Sequence, residues 1–151
     1  MILGDVTSGE LPPGRYRLGR SATVRALRDE LVDAGWLMRI VDGAAMTDRA
    51  SLFSEFMVAC DFPDWFGGNW DAFADCLKDL SWLPDEPLAI LWQRSGAFEA
   101  AAPAIWRTAN RVISTAIAAR IDTGLPPLYL IYPYDPSRRS DPGDGIIDSD
   151  S

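Results

Sequence analysis

Three aspartates recur at every fourth position near the middle of the chain: Asp71, Asp75 and Asp79. On a helix this spacing places the three carboxylates along one face. Like charges four residues apart repel by about 0.2–0.5 kcal/mol per pair, and aspartate is a poor helix former, so stability alone does not favour the arrangement. Carboxylates so placed can meet a basic partner, bind Mg²⁺ or share a proton. We call these three residues the acidic stripe.

Acidic residues are concentrated around the stripe. The 151 residues carry a net charge of −8. Residues 61–86 hold one basic residue, Lys78, and seven acidic ones: Asp61, Asp64, Asp71, Asp75, Asp79, Asp85 and Glu86. A surface of this kind repels nucleic acid and attracts basic proteins, although a solvated, solubilising face would have the same composition.

Histidine is absent from the chain, which excludes several kinds of site. Histidine is the commonest general base at neutral pH and the commonest zinc ligand, and it is one member of the Ser-His and Cys-His nucleophile pairs. Cys60 and Cys76 are too few for a disulfide framework, which favours a cytoplasmic protein with reduced thiols. No apolar run approaches the roughly 20 residues that cross a bilayer, and residues 1–10 lack the features of a signal peptide.

The stripe requires a helix to position it, and the preceding residues predict one. Asn69 is suited to cap a helix that runs to about Leu80, with the apolar side chains between them facing a core. Before the cap, Trp65 and Phe66 lie beside Gly67 and Gly68 in a loop. Such aromatics are typical of interface anchors, although both rings can also fold back onto the core.

The rest of the pattern alternates between strands and helices. Strands are predicted at 15–18, 36–41, 88–92 and 128–132, and helices at 21–34, from 47 or 48 to about 60, and over 98–122 with a break at Pro103. This order predicts an α/β fold with a small, mainly parallel sheet of three to four strands, covered by helices. We expect one domain over residues 1–134 and a disordered acidic tail over 135–151.

The run from Trp65 to Leu77 resembles the hallmark segment of the barstar family, the intracellular inhibitors of barnase-like ribonucleases. That hallmark has two aromatics, Gly, a variable residue, Asn, an apolar residue, Asp-Ala, two largely apolar residues and Asp-Cys-Leu. This chain matches it without a gap over thirteen positions. Weaker similarity extends over about 36–132, so residues 1–35 are expected to form an N-terminal extension packed on a barstar-like domain.

The resemblance implies an inhibitor rather than an enzyme, with no catalytic residue, cofactor or metal. It would block the active site of a basic, secreted guanyl-specific ribonuclease or RNase-type toxin, as a cytoplasmic, bacterial immunity protein that is monomeric when free and contacts neither nucleic acid nor membrane. Asp75 would lie where the substrate phosphate binds, Asp71 would pair near the rim, and Trp65 would stack on an enzyme residue. The implied partner-binding set is Trp65, Gly67, Asn69, Asp71, Ala74, Asp75 and Lys78.

The chain departs from the family's pattern at three places. Ala74 stands where a large aromatic is often found, and Gly68 stands where an acidic residue is common. The acidic residue of the family's later helix falls on Ala119 or Arg120 in an ungapped comparison from Gly124. These departures favour a ribonuclease related to barnase over barnase itself.

Three other functions stay open. The chain can be a barstar-fold scaffold or regulatory protein with a non-ribonuclease partner. In that case Gly67, Asn69 and Cys76 would serve the fold alone. An enzyme would use Asp71 and Asp75 as paired carboxylates, without histidine or a glycine-rich phosphate loop. A mimic of DNA or RNA for another protein would use the same acidic stripe and differ only in its partner.

Overall fold

A computed structural model describes residues 2–140 and 143–148. Five strands form one parallel sheet in the order β2-β3-β4-β1-β5. The strands are β1 (Arg15–Leu18), β2 (Leu37–Asp42), β3 (Leu88–Gln93), β4 (Leu128–Tyr132) and β5 (Gly145–Ile147). The helices are α1 (Leu3–Ser8), α2 (Val24–Asp33), α3 (Arg49–Ala59), α4 (Trp70–Asp79), α5 (Ser95–Ala101) and α6 (Pro103–Asp122), with a short 3-10 helix at Gly43–Ala45.

The predicted α/β class is confirmed, and the sheet contains one strand more than the predicted upper limit of four. The four predicted strands all form, within one residue of their predicted ends. The first full helix begins later than predicted, because Thr23 rather than Ser21 caps it: the Thr23 side chain accepts a hydrogen bond from the Ala26 N–H at 3.1 Å. The sequence reading also missed the short helix α1.

The two central strands, β3 and β4, are buried on both faces, as their apolar sequences predict. Because successive strand residues point to opposite faces, each strand serves two cores. Leu88, Ile90 and Trp92 face the core that is closed by α3, α4 and α6. Ala89 and Leu91 face a second core that is closed by α1 and α2.

The N-terminal segment, expected to be an extension packed on the domain, contributes a strand to the interior of the sheet. β1 pairs with β4 on one side and with β5 on the other. Tyr16 and Leu18 point into the second core, where Leu27 and Leu31 of α2 are also buried. Residues before position 36 therefore cover a sheet face and supply one of its strands.

The tail predicted to be disordered forms defined structure over residues 135–140 and 143–148, so that prediction is wrong there. β5 pairs with β1, and Ile147 is buried. A carboxylate oxygen of Asp135 accepts a hydrogen bond from the Gly96 N–H at 2.8 Å, and Glu99 accepts one from the Arg139 N–H at 2.6 Å. Ordering a chain segment costs conformational entropy, and this polar segment has few apolar side chains whose burial could offset that cost. The tertiary contacts to the rest of the chain offset it instead. Residues 141–142 and 149–151 of the expected tail lie outside the described residues.

Candidate functional site

Aromatic packing fixes one side of the loop between α3 and α4. The ring of Phe66 packs edge-on against Phe53 and Phe62, with centroid distances of 5.6 and 5.1 Å. Its backbone N–H donates to the carbonyl of Pro63 at 3.0 Å. Of the two orientations that the sequence left open for Phe66, the structure shows the ring folded onto the core.

Trp65, the neighbouring aromatic, points outward and is 57% exposed. The centroid of its ring lies 5.9 Å from that of Trp82, with an interplanar angle of 82°. Trp82 is itself held in place, because its indole N–H donates to the carbonyl of Cys60 at 2.9 Å. A large exposed ring with a fixed aromatic behind it is suited to anchor a protein partner.

The start of α4 depends on Asn69 and Gly68. The Asn69 side-chain oxygen accepts a hydrogen bond from the Ala72 N–H at 2.8 Å, which confirms the predicted cap. Gly68 has a φ of +68°, a left-handed conformation that favours glycine. A methyl group on Gly67 would meet only Asn69 Nδ2 and Ala72 Cβ, at 3.5 and 3.9 Å, which are ordinary contacts. The backbone therefore favours glycine at Gly68 and does not need it at Gly67.

The two sides of α4 differ as the spacing predicts. Phe73, Cys76 and Leu77 are fully buried, whereas Asp71, Asp75 and Asp79 are exposed. Within residues 2–140 and 143–148, the acids of the stripe form no ion pair. Asp71 lies in the first turn, where the helix dipole stabilises a negative charge, and Asp79 lies in the last turn, where the dipole opposes it. The helix thus presents uncompensated negative charge to solvent.

Ala74 and Lys78 complete the predicted partner-binding set. Ala74 is partly buried and has only a methyl group to offer. Lys78 is exposed in the last turn of α4, where a cation stabilises the negative end of the helix dipole. All seven predicted residues therefore lie on α4 or in the loop just before it, and Asn69 already has a structural role.

Both thiols are inert. Burial, with a smaller contribution from the nearby carboxylates of Asp75 and Asp79, raises the pKa of Cys76 to about 11. Burial likewise raises the pKa of Cys60 to about 12. Because the thiolate is the reactive form, neither side chain is a nucleophile at neutral pH. Cys76, although part of the hallmark segment, packs as a small core residue.

Arg120 is a positioning residue that the sequence reading missed. It is only 4% exposed, and its guanidinium donates to the carbonyls of Lys78 at 3.1 Å and Asp79 at 2.9 Å. It also donates to the carbonyl of Pro126 through two nitrogens, at 2.8 and 3.1 Å. Burial lowers the pKa of Arg120, and Asp79 opposes that shift. Arg120 thereby ties the end of α4 to the turn before β4.

A sequence signal for Arg120 did exist. Ile113, Ile117 and Arg120 follow one another at four and three residues, so helical periodicity places Arg120 on the buried side of α6. A buried arginine needs several acceptors, and the last carbonyls of a neighbouring helix are free to supply them. The neighbour itself, α4, is identified only by the tertiary packing.

A shallow groove of about 550 Å³ adjoins the loop. It is lined by Gly68 and Trp70 from the loop and the start of α4, by Phe53 from α3 and by Ile105 from α6. The lining is mixed, because the apolar side chains of Phe53, Trp70 and Ile105 lie beside the polar ones of Asp48, Arg49 and Thr108. The exposed surface at the start of α4 therefore combines charge and one aromatic ring with an adjoining groove of mixed polarity.

Neither a metal centre nor a membrane span is found in the part of the chain that the structure describes. Over residues 2–140 and 143–148, no three acidic, cysteine or histidine side chains are grouped so that they could hold a metal ion. No helix in those ranges is long and apolar enough to cross a bilayer.

Comparison with known proteins identifies a family. The model of the family described as barstar (barnase inhibitor) matches residues 36–129. These residues include β2, β3, α3 to α6 and all of the loop and helix described above. No curated protein matches the chain.

Proposed function

Because the chain belongs to the barstar family, we propose that it is a proteinaceous ribonuclease inhibitor and not an enzyme. Its partner would be a basic, secreted guanyl-specific ribonuclease or an RNase-type toxin. The contact surface that we assign comprises α4 and the preceding loop, through Trp65, Gly67, Asn69, Asp71, Ala74, Asp75 and Lys78. The inhibitor would act in the cytoplasm as an immunity protein and needs no cofactor.

One observation carries this proposal: the residues of the hallmark segment divide into two groups. Phe73 and Cys76 are buried in the core, Phe66 packs against it, and Asn69 caps the helix, so the fold accounts for them. The fold does not account for the other group, whose members are exposed and whose carboxylates form no ion pair with a described residue: Trp65, Asp71 and Asp75. A protein-binding role explains why these types occur there.

The chemistry of ribonucleases supplies the complementary surface. A ribonuclease must present positive charge to bind RNA phosphates. The stripe offers carboxylates at fixed helical spacing, so that Asp75 can occupy the position of a substrate phosphate while Asp71 pairs nearer the rim. Opposite charges accelerate the encounter, and the charge pairs that become buried slow dissociation.

Trp65 would supply the apolar part of the interface. Its exposed ring is backed by Trp82, so little conformational freedom is lost when a partner residue stacks on it. The ring would lie against a catalytic or base-recognising residue of the enzyme. Since Ala74 and Ala119 lack the larger side chains that the family often has there, we favour a relative of barnase as the partner.

A barstar-fold scaffold with a non-ribonuclease partner is the second candidate. The structural roles of Asn69 and Cys76 favour it to some degree, because those residues would match the family whatever the partner is. The two candidates differ in what Asp75 does. If the protein is a scaffold, replacing Asp75 would change its affinity for no ribonuclease.

The test is a ribonuclease assay that compares matched variants. Barnase and several other small guanyl-specific ribonucleases are titrated with the wild-type chain, with Asp75→Ala and with Asp79→Ala. We expect stoichiometric inhibition by the wild type, a loss of at least about a hundredfold in affinity for Asp75→Ala, and a much smaller loss for Asp79→Ala. Equal losses in both variants would contradict the assigned surface, and no inhibition of any enzyme would favour the scaffold.

The salt dependence of the association rate is a separate check on whether electrostatic attraction accelerates binding. Exposed charges are screened beyond about 10 Å at 0.1 M salt, so added salt should slow association much more than it speeds dissociation. Stopped-flow mixing of inhibitor and ribonuclease measures both rates. An association rate that does not depend on salt would remove the electrostatic part of the proposal.

A further inference from the structure

A second groove, of about 370 Å³, lies between β1, α6 and the segment that follows β4. Three arginines line it: Arg15 from β1, and Arg107 and Arg111, which are one turn apart on α6. The remaining lining residues are Trp106, Asn110, Ser114 and Ser140. Neither the family's hallmark segment nor the acidic stripe contributes to this groove.

Arg15 is held in a fixed position at the groove. Its Nη1 donates to the side-chain oxygen of Asn110 at 3.1 Å and to the hydroxyl of Tyr132 at 3.5 Å. Asn110 is itself fixed, because its Nδ2 donates to the carbonyl of Trp106 at 2.8 Å. The Nε of Arg15 is buried and makes no hydrogen bond to any residue that the structure describes. The protein thus orients this guanidinium without satisfying it.

None of the three guanidiniums forms an ion pair with a carboxylate of the described residues. Over residues 2–140 and 143–148, no carboxylate lies within ion-pair distance of Arg15, Arg107 or Arg111. Other arginines of the chain do have such partners, as in the ion pairs Arg39–Asp61, at 3.2 Å, and Arg94–Asp42. Although the chain carries a net charge of −8, these three cations share one groove without an ion pair to any described carboxylate.

The carboxylates that border the groove have other partners. Glu99 accepts hydrogen bonds from the backbone N–H of Arg139 at 2.6 Å and from the Ser140 hydroxyl at 2.5 Å. Asp144 accepts one from the backbone N–H of Arg15 at 3.0 Å. Neither carboxylate forms an ion pair with a described arginine of the groove, and Arg15, unlike the exposed Arg107 and Arg111, is partly buried.

We propose that this groove is an oxyanion site that binds a phosphate group, either free or as the ester of a small molecule. Guanidinium groups match phosphate oxygens with paired, charge-assisted hydrogen bonds, and Ser114 adds a hydroxyl at the same groove. Trp106 is buried, so its ring offers no face for a nucleobase to stack on. The phosphate is therefore the recognised group.

The test is isothermal titration calorimetry with inorganic phosphate at constant ionic strength, in a buffer without phosphate. The variant Arg107→Gln/Arg111→Gln removes two exposed cations from the groove. The control Arg25→Gln/Arg28→Gln removes two exposed arginines from α2, so its net charge changes by the same amount. We expect saturable binding to the wild type and to the control, and a loss of at least about tenfold in affinity for the groove variant.

A parallel titration with a nucleoside 5′-monophosphate distinguishes the two sources of the phosphate group. Tighter binding of the monophosphate would identify an ester, whereas equal or weaker binding would identify the free anion. The site would be rejected if neither ligand gives saturable heat. It would also be rejected if both double variants weaken binding equally, because net charge alone would then explain the effect.

Discussion

The two sides of α4 are built for different purposes. The inward side consists of Phe73, Cys76 and Leu77, which are fully buried against α3, α6 and the sheet. The outward side consists of the acidic stripe, which is exposed and makes no ion pair in the described part of the chain. One side of the helix therefore anchors α4 in the fold, while the other side stays free for a partner.

The largest expected effect concerns the inward side. Phe73→Ala removes a buried ring that contacts Phe53, Phe56 and Trp70 at centroid distances of 5.3, 5.2 and 5.9 Å. We expect a loss of about 3–5 kcal/mol in the free energy of unfolding, because the cavity cannot collapse fully. Urea denaturation measures it. A loss below about 1 kcal/mol would show that this side of α4 does not anchor the helix.

The next effect concerns the end of the helix. Arg120→Ala leaves the carbonyls of Lys78, Asp79 and Pro126 without their donor, and we expect a loss of about 1–3 kcal/mol in unfolding free energy. Faster hydrogen exchange in the last turn of α4 should accompany it. The matched control is Arg111→Ala, an exposed arginine on the same helix, which should change stability by less than about 0.5 kcal/mol. Equal losses would contradict the positioning role.

A smaller effect separates the two glycines before the helix. Gly68→Ala forces a side chain into a left-handed backbone with φ of +68°, so we expect a loss of about 1 kcal/mol in unfolding free energy. Gly67→Ala meets only ordinary contacts and should change stability by less than about 0.5 kcal/mol. Thermal unfolding of both variants gives the comparison. If Gly67 proved the more sensitive of the two, the described loop conformation would be wrong.

The smallest effect concerns the outward side. Asp75→Ala removes the central charge of the stripe and, with it, the repulsion between Asp75 and each of Asp71 and Asp79. We expect the free protein to be more stable by about 0.4–1 kcal/mol, since each of the two like-charged pairs costs about 0.2–0.5 kcal/mol. Urea denaturation at low salt measures the difference. Clear destabilisation would mean that Asp75 supports the fold, and the contrast between the two sides would fail.

Local patterns in the sequence were sufficient for most of the fold and for the shape of the site. The spacing of Asp71, Asp75 and Asp79 against Phe73 and Leu77 predicted both sides of α4, because helical periodicity fixes which residues share a face. The cap at Asn69 follows from its side-chain oxygen and its position before the helix. The two central strands could be read from unbroken apolar runs.

Other features required tertiary information. Phe66 and Trp65 are adjacent aromatics with opposite fates, and only the positions of Phe53, Phe62 and Trp82 decide which ring is buried. The role of Arg120 required knowledge that the end of α4 lies beside it. Neither choice is encoded by the residues next to each position in the sequence.

Residue types and their spacing are enough to predict the α/β class, the acidic helix and which of its sides faces the core. The fifth strand depends instead on a contact between distant parts of the chain. β5 has the polar, glycine-containing surroundings that predict disorder, yet it pairs with β1, and Asp144 bonds to Arg15 across 129 residues of sequence. The physical reason is that a helix makes its hydrogen bonds within itself, whereas an edge strand takes its stability from a partner that local sequence cannot specify.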